Sequence, residues 1–518
     1  MSDASPPQPR LAIRTFLLQG AVIIGIATIL ERGFQFVANF TSARIAGEEN
    51  LGAYSLALQA AGSLASQASL GIGMVATRFS AEYPVGHPLN RAFIQRILQL
   101  SFGLALFSSI LMLVIAWPLA NWFYDKPHFY RILILTVVTA PALVMVDAIR
   151  GLLLGLSYYR GLVILSSVVG VSMLLLMPWA AGRSPRAMLL AHAVSYSLAC
   201  ITILLVLKRK YSLRVFDPAT AEVPIRAMLR FGLLHLGTST AVGLVPMVLL
   251  AMLLRYSTPP DVLMIFPYAF LFQFGFGWLI LIASLAVPQM GFREVGYYTV
   301  ASTMRNMITT IPGLLNQLTI GLMTRLRGDE FGGVNRVVLI NTWLSFIFMV
   351  PVTALFHICL PWLLPLFYGK RFVEAVEPAS YLLSVALVHM ISQPAVNRLM
   401  VVSQRTLVYI QFIWIVVSLG SAYLLIPSMR ASGVALSLLI AHIATALLVP
   451  LGLKLHNALP LHLTRLTLMG VLSGVLPLLV IYSHPLSLIH WTHFVILGIA
   501  GAMFYLVFRQ YSEIRKLQ

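Results

Sequence analysis

Charge is what this 518-residue chain has least of: only 10% of its residues are Asp, Glu, Lys or Arg, against about 25% in ordinary soluble domains. A soluble globular protein is thereby excluded. Cysteine is almost missing too. Cys200 and Cys359 both lie inside long apolar runs, so neither a disulfide framework nor a metal site follows from their spacing, and both read as packing residues. No GxxxxGK(S/T) loop, HExxH pair or CxxC pair occurs, which excludes a self-powered ATPase and the common metalloenzymes. The longest polar loop, near residue 215, has about twenty residues, too few for a catalytic domain outside a bilayer. The first ten residues are polar and Pro-rich, and the apolar run after them shows no small-residue cleavage site, so no cleaved signal peptide is expected.

What is present is apolar sequence. Hydrophobic residues make up 59% of the chain and the mean hydropathy is +0.89. At about 20 residues per crossing, there is room for about fourteen transmembrane helices. Apolar stretches fall near 15–42, 51–77, 97–123, 132–149, 162–181 and 187–207. The most polar segment of the chain follows, with Lys208, Arg209, Lys210, Arg214, Asp217 and Glu222. Further stretches then run near 231–254, 263–287, 295–323, 337–366, 379–396, 408–426 and 434–453, with a final pair near 466–482 and 488–508.

An internal repeat organises these stretches. Leu51-Gly52-Ala53-Tyr54-Ser55 is echoed by Val295-Gly296-Tyr297-Tyr298-Thr299, Ala76-Thr77-Arg78 by Met323-Thr324-Arg325, and Leu190-Ala191-His192 by Ile440-Ala441-His442. Two halves in the same order imply a parallel repeat about an axis along the membrane normal. The fold class expected is therefore an all-α polytopic membrane protein with two pseudo-symmetric six-helix bundles around a central cavity, plus a C-terminal helix pair. Its parts are a cytoplasmic N-terminus (1–14), a first bundle (15–208), a linker (209–225), a second bundle with an enlarged seventh span (226–455), and the helix pair with its tail (456–518).

The formal net charge of +19 fits topology better than a nucleic-acid partner, because basic residues gather in cytoplasmic loops and near acidic lipid headgroups. If residues 226–293 make one net crossing, 23 of the 35 Lys and Arg lie on the N-terminal side and nine opposite, with Arg32, Arg255 and Arg305 at membrane depth. Two full crossings would give 17 and 15. The positive-inside rule favours the single crossing, broken at Arg255-Tyr256-Ser257-Thr258-Pro259-Pro260-Asp261.

Charged groups inside spans are costly and mark candidate sites. Glu31 and Arg32 are adjacent on the first helix, about 100° apart around it, so each needs a partner elsewhere. Interhelical pairing and a cavity-lining acid and base both remain open. Arg305 lies well inside an apolar helix while its repeat partner is Ala61. A lone guanidinium there calls for a carboxylate or phosphate, so substrate contact, a structural salt bridge and snorkelling all stay open. Asn39, Gln35, Asn306, Asn316 and Gln317 add hydrogen-bonding groups for a cavity or for helix contacts. Asp147 with Arg150 reads as boundary capping. His192 and His442 are expected to make the same interhelical hydrogen bond twice, and His235 and His389 to be core residues, although histidine titrates near neutrality and a proton-coupled role stays open.

The run Ala43-Arg44-Ile45-Ala46-Gly47-Glu48-Glu49-Asn50-Leu51-Gly52-Ala53-Tyr54 resembles the junction of the first two helices in the polysaccharide-transporter branch of the multidrug/oligosaccharidyl-lipid/polysaccharide exporter superfamily. Leu70-Gly71-Ile72-Gly73, Thr77-Arg78-Phe79 and Leu229-Arg230-Phe231-Gly232 are similar to that branch as well, and the likeness extends over about residues 10–455. It implies a flippase rather than an enzyme, moving lipid-linked oligosaccharide from the inner to the outer leaflet of a bacterial inner membrane by alternating access, for O-antigen or exopolysaccharide synthesis. The N-terminus would be cytoplasmic. The partners implied are an undecaprenyl-pyrophosphate-linked glycan, membrane lipids and other polysaccharide-assembly membrane proteins, with no nucleic acid and no cofactor. A proton or sodium coupling ion stays open. Arg32, Arg305 and Arg255 would face the pyrophosphate, with Glu31, Asn39, Asn316 and Gln317 as further cavity candidates. The alternatives are a cation-coupled multidrug exporter, which would need an acid such as Glu31, a peptidoglycan-precursor flippase, and a membrane glycan polymerase or ligase.

Overall fold

A computed structural model describes residues 10–80, 88–211, 245–254, 292–325, 332–460 and 462–483, with isolated positions elsewhere. The expectations for the extreme N-terminus, most of the linker, most of the enlarged seventh span including Arg255 and His235, and the last helix of the C-terminal pair lie outside the described residues. Among the described residues all regular structure is helical.

The first bundle starts with α1 (Arg10–Ala68), which doubles back at Gly47, where φ 76 and ψ 174 interrupt the helix. Only glycine adopts that backbone readily, which accounts for its place in the sequence motif. A turn through Leu70 and Gly71, both at positive φ, leads to α2 (Ile72–Ser80). Next come α3 (Pro88–Pro118), extended by a wide turn at Leu119–Phe123, α4 (Tyr130–Leu133), α5 (Thr136–Gly155), α6 (Tyr159–Ala181) and α7 (Pro185–Tyr211). The short α8 (Val245–Leu254) lies within the seventh span and is buried along its length.

The second bundle contains α9 (Phe292–Arg325), α10 (Gly332–Tyr368), α11 (Val376–Val402) and α12 (Gln404–Leu455). In α12 the chain reverses at Arg430, where φ is 51 and ψ −124, so one helical element makes two crossings. Then α13 (Leu463–Ser483) begins the C-terminal pair. Seven of the described helices are long and apolar enough to cross a membrane. The protein is multi-pass. Leu106, Phe107, Ile110, Leu113 and Val114 of α3 face outward, as lipid requires, while small residues such as Ala53, Ala57, Ala60 and Ala61 are buried where helices approach closely.

Within each half the helices pack on one another, and α1 also packs along α9, which joins the two bundles. The seam depends on two repeat-equivalent glycines. A Cβ on Gly52 would fall 1.9 Å from the Phe292 carbonyl oxygen, and one on Gly296 would fall 2.2 Å from the Glu48 carbonyl oxygen. The backbones cross where neither helix can carry a side chain. Ion pairs ring this end, remote from the N-terminus: Arg293 lies 3.9 Å from Glu48 of the opposite bundle and 3.2 Å from Glu374, and Arg430 lies 3.6 Å from Glu294. Exposed pairs of this kind are worth under about 1 kcal/mol each, so the glycine crossing is the stronger contact.

Replacing Gly52 or Gly296 by Val is expected to force the seam open. Spin labels at Asn50 and Val373 should move apart by several ångströms, on the order of a side-chain diameter. The same change at Gly103, which has open space around it, should leave that distance unaltered. Equal distances in all three variants would show that the crossing does not hold the bundles together.

Candidate functional site: the cavity between the bundles

Immediately below the seam lies a cavity of about 340 Å³. The two arms of α1 and helix α9 each contribute a polar stripe at helical spacing, while Leu143, Met173 and Leu250 from other helices add apolar wall. Arg32, Gln35 and Asn39 come from α1 before its turn, and Ser55 and Gln59 from α1 after it; α9 supplies Thr299, Ser302, Thr303 and Asn306. Aromatic walls are formed by Tyr54, Tyr196, Tyr298 and Tyr368, with His192 among them. Tyr54 and Tyr298 are the two copies of the repeated Gly-x-Tyr motif. They face one space from opposite bundles.

Among the lining residues Arg32 alone carries a formal charge. Its neighbour Glu31 is buried and turned into the first bundle, where its carboxylate accepts hydrogen bonds from Arg150 Nη2 at 2.7 and 3.0 Å and from Ser166 Oγ at 2.7 Å. Glu31 therefore pairs between helices and does not line the cavity. Arg150, expected at a helix boundary with Asp147, also reaches inward to Glu31. Gln35 links the two environments. Its Nε2 lies 3.5 Å from Glu31 Oε1 and 3.4 Å from the Tyr196 hydroxyl, while its Oε1 accepts from Arg32 Nη1 at 3.4 Å. Among the described residues Arg32 has no carboxylate within salt-bridge distance.

The other candidates are dispersed. Asn39 is in the lining. Arg305 is not; it lies beside Asn306, whose Oδ1 accepts from its Nε and Nη2 at 3.4 and 3.2 Å. Asn316 is buried away from the cavity, where its Oδ1 accepts from Asn341 at 2.7 Å and its backbone oxygen from Asn397 at 3.3 Å, so it ties α9 to α10 and α11. Gln317 belongs to α9, but its side chain lies outside the described residues, as does Arg255. The histidines differ from the symmetric expectation. His192 Nδ1 bonds the Tyr54 hydroxyl at 2.9 Å, whereas His442 Nδ1 lies against the Leu438 carbonyl at 2.7 Å and Trp414 Nε1 at 3.4 Å. The repeat kept the residue and changed its partners.

Residues 17–325, more than half of the chain, match the model of a family described as polysaccharide biosynthesis protein. The chain belongs to that family. Three solved structures share the fold of this family member. Lipid II flippase MurJ in an inward closed conformation superposes with a TM-score of 0.64 at 13% identity, covering 95% of this chain and 99% of that one. An inward-facing multidrug resistance MATE family transporter of the MOP superfamily gives 0.60 at 16%, covering 85% and 98%. A Vibrio cholerae MATE transporter gives 0.54 at 13%, covering 86% and 98%. At such identities the likeness is one of fold. No curated protein matches the chain significantly in sequence.

The sequence signal for the Glu31–Arg150 pair was weak because the partners stand 119 residues apart. Ser55 with Gln59 and Thr299 with Thr303 carry a four-residue spacing on the repeat helices that is a sequence signal for this lining, whereas Ser302 has none. Removing Arg150 leaves a buried carboxylate without its cation. Arg150→Met is expected to cost about 2 kcal/mol, less than for a fully buried pair, because the Arg150 side chain keeps 35% exposure. Glu31→Gln combined with Arg150→Met should recover most of the loss. Thermal unfolding in detergent checks both; an undiminished midpoint for Arg150→Met would show that the pair is dispensable.

Proposed function

We propose that the protein flips a lipid-linked oligosaccharide from the inner to the outer leaflet of a bacterial inner membrane, for O-antigen or exopolysaccharide assembly, with its N-terminus in the cytoplasm. The observation that carries this reading is the cavity's charge: among the described residues one guanidinium without a carboxylate, surrounded by amides, hydroxyls and tyrosines from both bundles. A pyrophosphate suits the guanidinium, which binds oxyanions bidentately. Sugar hydroxyls suit the amides and hydroxyls, and tyrosine faces suit the apolar faces of sugar rings. The volume is near the lower end of small-molecule sites, about 300–1,000 Å³. It admits a pyrophosphate and its first sugar while the polyprenyl tail stays in lipid.

Membership of a polysaccharide biosynthesis family and a fold shared with a lipid II flippase support the assignment. Against cation-coupled drug export stands Glu31, the acid such a mechanism needs in the first bundle, which is held by Arg150 and Ser166. Alternating access follows from rocking the two bundles about the cavity: in this conformation Gly52 and Gly296 close one end, and their separation would open it.

In a deletion strain, surface glycan should be lost and lipid-linked repeat units should accumulate on the inner leaflet. Wild type should restore display. Arg32→Ala at normal expression should restore less than a tenth of it, the effect expected when a charged anion contact worth about 1.5–3 kcal/mol is removed. An unchanged glycan profile in the deletion strain contradicts the assignment.

A further inference from the structure

Three groups far apart in the sequence meet inside the second bundle. Arg305 comes from α9, His389 from α11 and His442 from α12. The two imidazoles meet edge to face, with ring centres 5.1 Å apart and planes at 88°, and Arg305 is close enough to interact electrostatically with both. All three side chains are only partly buried. Trp414 stands perpendicular to His442 at 5.5 Å. A carbonyl can only accept, so the 2.7 Å contact to the Leu438 oxygen assigns the proton to His442 Nδ1; the longer 3.4 Å approach of Trp414 Nε1 to that nitrogen is then no hydrogen bond, and Nε2 is left as an acceptor able to take a proton. Among the described residues, neither ring nitrogen of His389 has a hydrogen-bond partner and no carboxylate pairs with Arg305.

The first bundle has no counterpart. Ala61 stands at the repeat position of Arg305, and His192, the equivalent of His442, is bonded to Tyr54 and stacked on Tyr196 at 4.7 Å. Among the described residues the groups that face the histidines are Arg305 from α9, Trp414 from α12, and each other; Tyr298 of α9 faces Arg305. That set holds no acid. A cation beside two imidazoles is therefore left for a ligand to neutralise.

We propose that Arg305, His389 and His442 form a second anion subsite, private to the second bundle, which takes a phosphate of the pyrophosphate-linked headgroup and gains a proton as it does so. The subsite rests on the flippase reading above. Arg305 supplies the permanent charge. One imidazole takes a proton from solvent and donates a hydrogen bond to a phosphate oxygen; the other stays neutral, because two imidazolium rings at this separation beside a guanidinium repel. Binding and protonation then favour each other reciprocally. Since the complex holds the proton more tightly than the free protein, affinity falls as pH rises between the two protonation midpoints, by up to about tenfold per unit.

The test is calorimetric titration of the full-length protein in detergent with N-acetylglucosaminyl-pyrophosphoryl-undecaprenol. It is run at pH 6 and pH 8 in two buffers of different ionisation enthalpy. Wild type should bind at least about fivefold more tightly at pH 6 and take up close to one proton. Of His389→Gln and His442→Gln, the one that removes the proton-accepting imidazole should abolish the proton uptake and flatten the pH dependence while still binding. Arg305→Gln should weaken binding about tenfold or more at both pH values. Binding by wild type without proton uptake, or uptake that persists in both histidine variants, overturns the subsite and leaves the flippase reading standing. Failure of wild type to bind the pyrophosphoryl lipid at either pH overturns that reading, and the subsite with it.

Discussion

A charge placed at membrane depth must find a counter-charge, a hydrogen-bonding ligand or water, since hydrocarbon offers none of these. That constraint sorts the ionisable groups of this protein into two kinds. Glu31 has its answer within the chain: Arg150 and Ser166 satisfy it, and the resulting contact ties α1 to α5 and α6. Among the described residues Arg32, one position along the same helix, has only the Gln35 amide as hydrogen-bond partner, and Arg305 only Asn306. Both unanswered groups are cations. The described cavity lining thus carries net positive charge and no carboxylate, which is what the proposed anionic substrate requires and a drug cation does not.

The same sorting shows how a duplicated architecture becomes directional. The repeat supplies Gly52 and Gly296 for the seam and Tyr54 and Tyr298 for opposite walls of the cavity. Those are the symmetric parts, and they serve closure and shape. The chemistry is asymmetric. Arg32 belongs to the first bundle, while Arg305 faces two histidines in the second, where the first bundle has Ala61. On the proposed reading, two bundles that contact one headgroup differently would give a rocking motion something to act on, because a ligand biases a conformational equilibrium only by the difference in its contacts with the two states.

Much of the architecture was legible in the chain. Among the described residues most spans bounded by charge and Pro/Gly lie inside observed helices, as 187–207 lies inside Pro185–Tyr211, whereas 51–77 runs across the turn between α1 and α2 and 132–149 across the break between α4 and α5. The motif glycine Gly47 marked a helix junction, and φ 76 explains why glycine is needed there. Partner choice was not legible. Arg150 sits near Asp147 in sequence and invited a boundary reading, yet its guanidinium crosses to Glu31. Asn316 had the right depth for a cavity but the wrong side of its helix, and it binds Asn341 instead. Periodicity fixes which face a residue occupies only to within a helical step, whereas pairing depends on how neighbouring helices are rotated. His389 and His442 read as isolated residues for the same reason; only the packing of α9, α11 and α12 brings them to Arg305.

The central claim is that the unpaired Arg32 in the cavity serves to carry an anionic glycolipid across the bilayer. Its most direct test is transbilayer movement in proteoliposomes of purified protein, with inner-leaflet sugar–pyrophosphoryl–polyprenol detected as it becomes accessible to an external lectin. A neutral glycolipid with the same sugar and a similar tail serves as comparison. The account predicts protein-dependent movement of the pyrophosphoryl lipid alone, strongly reduced in Arg32→Ala. Equal movement of the neutral lipid, or movement of the pyrophosphoryl lipid undiminished by Arg32→Ala, would contradict it.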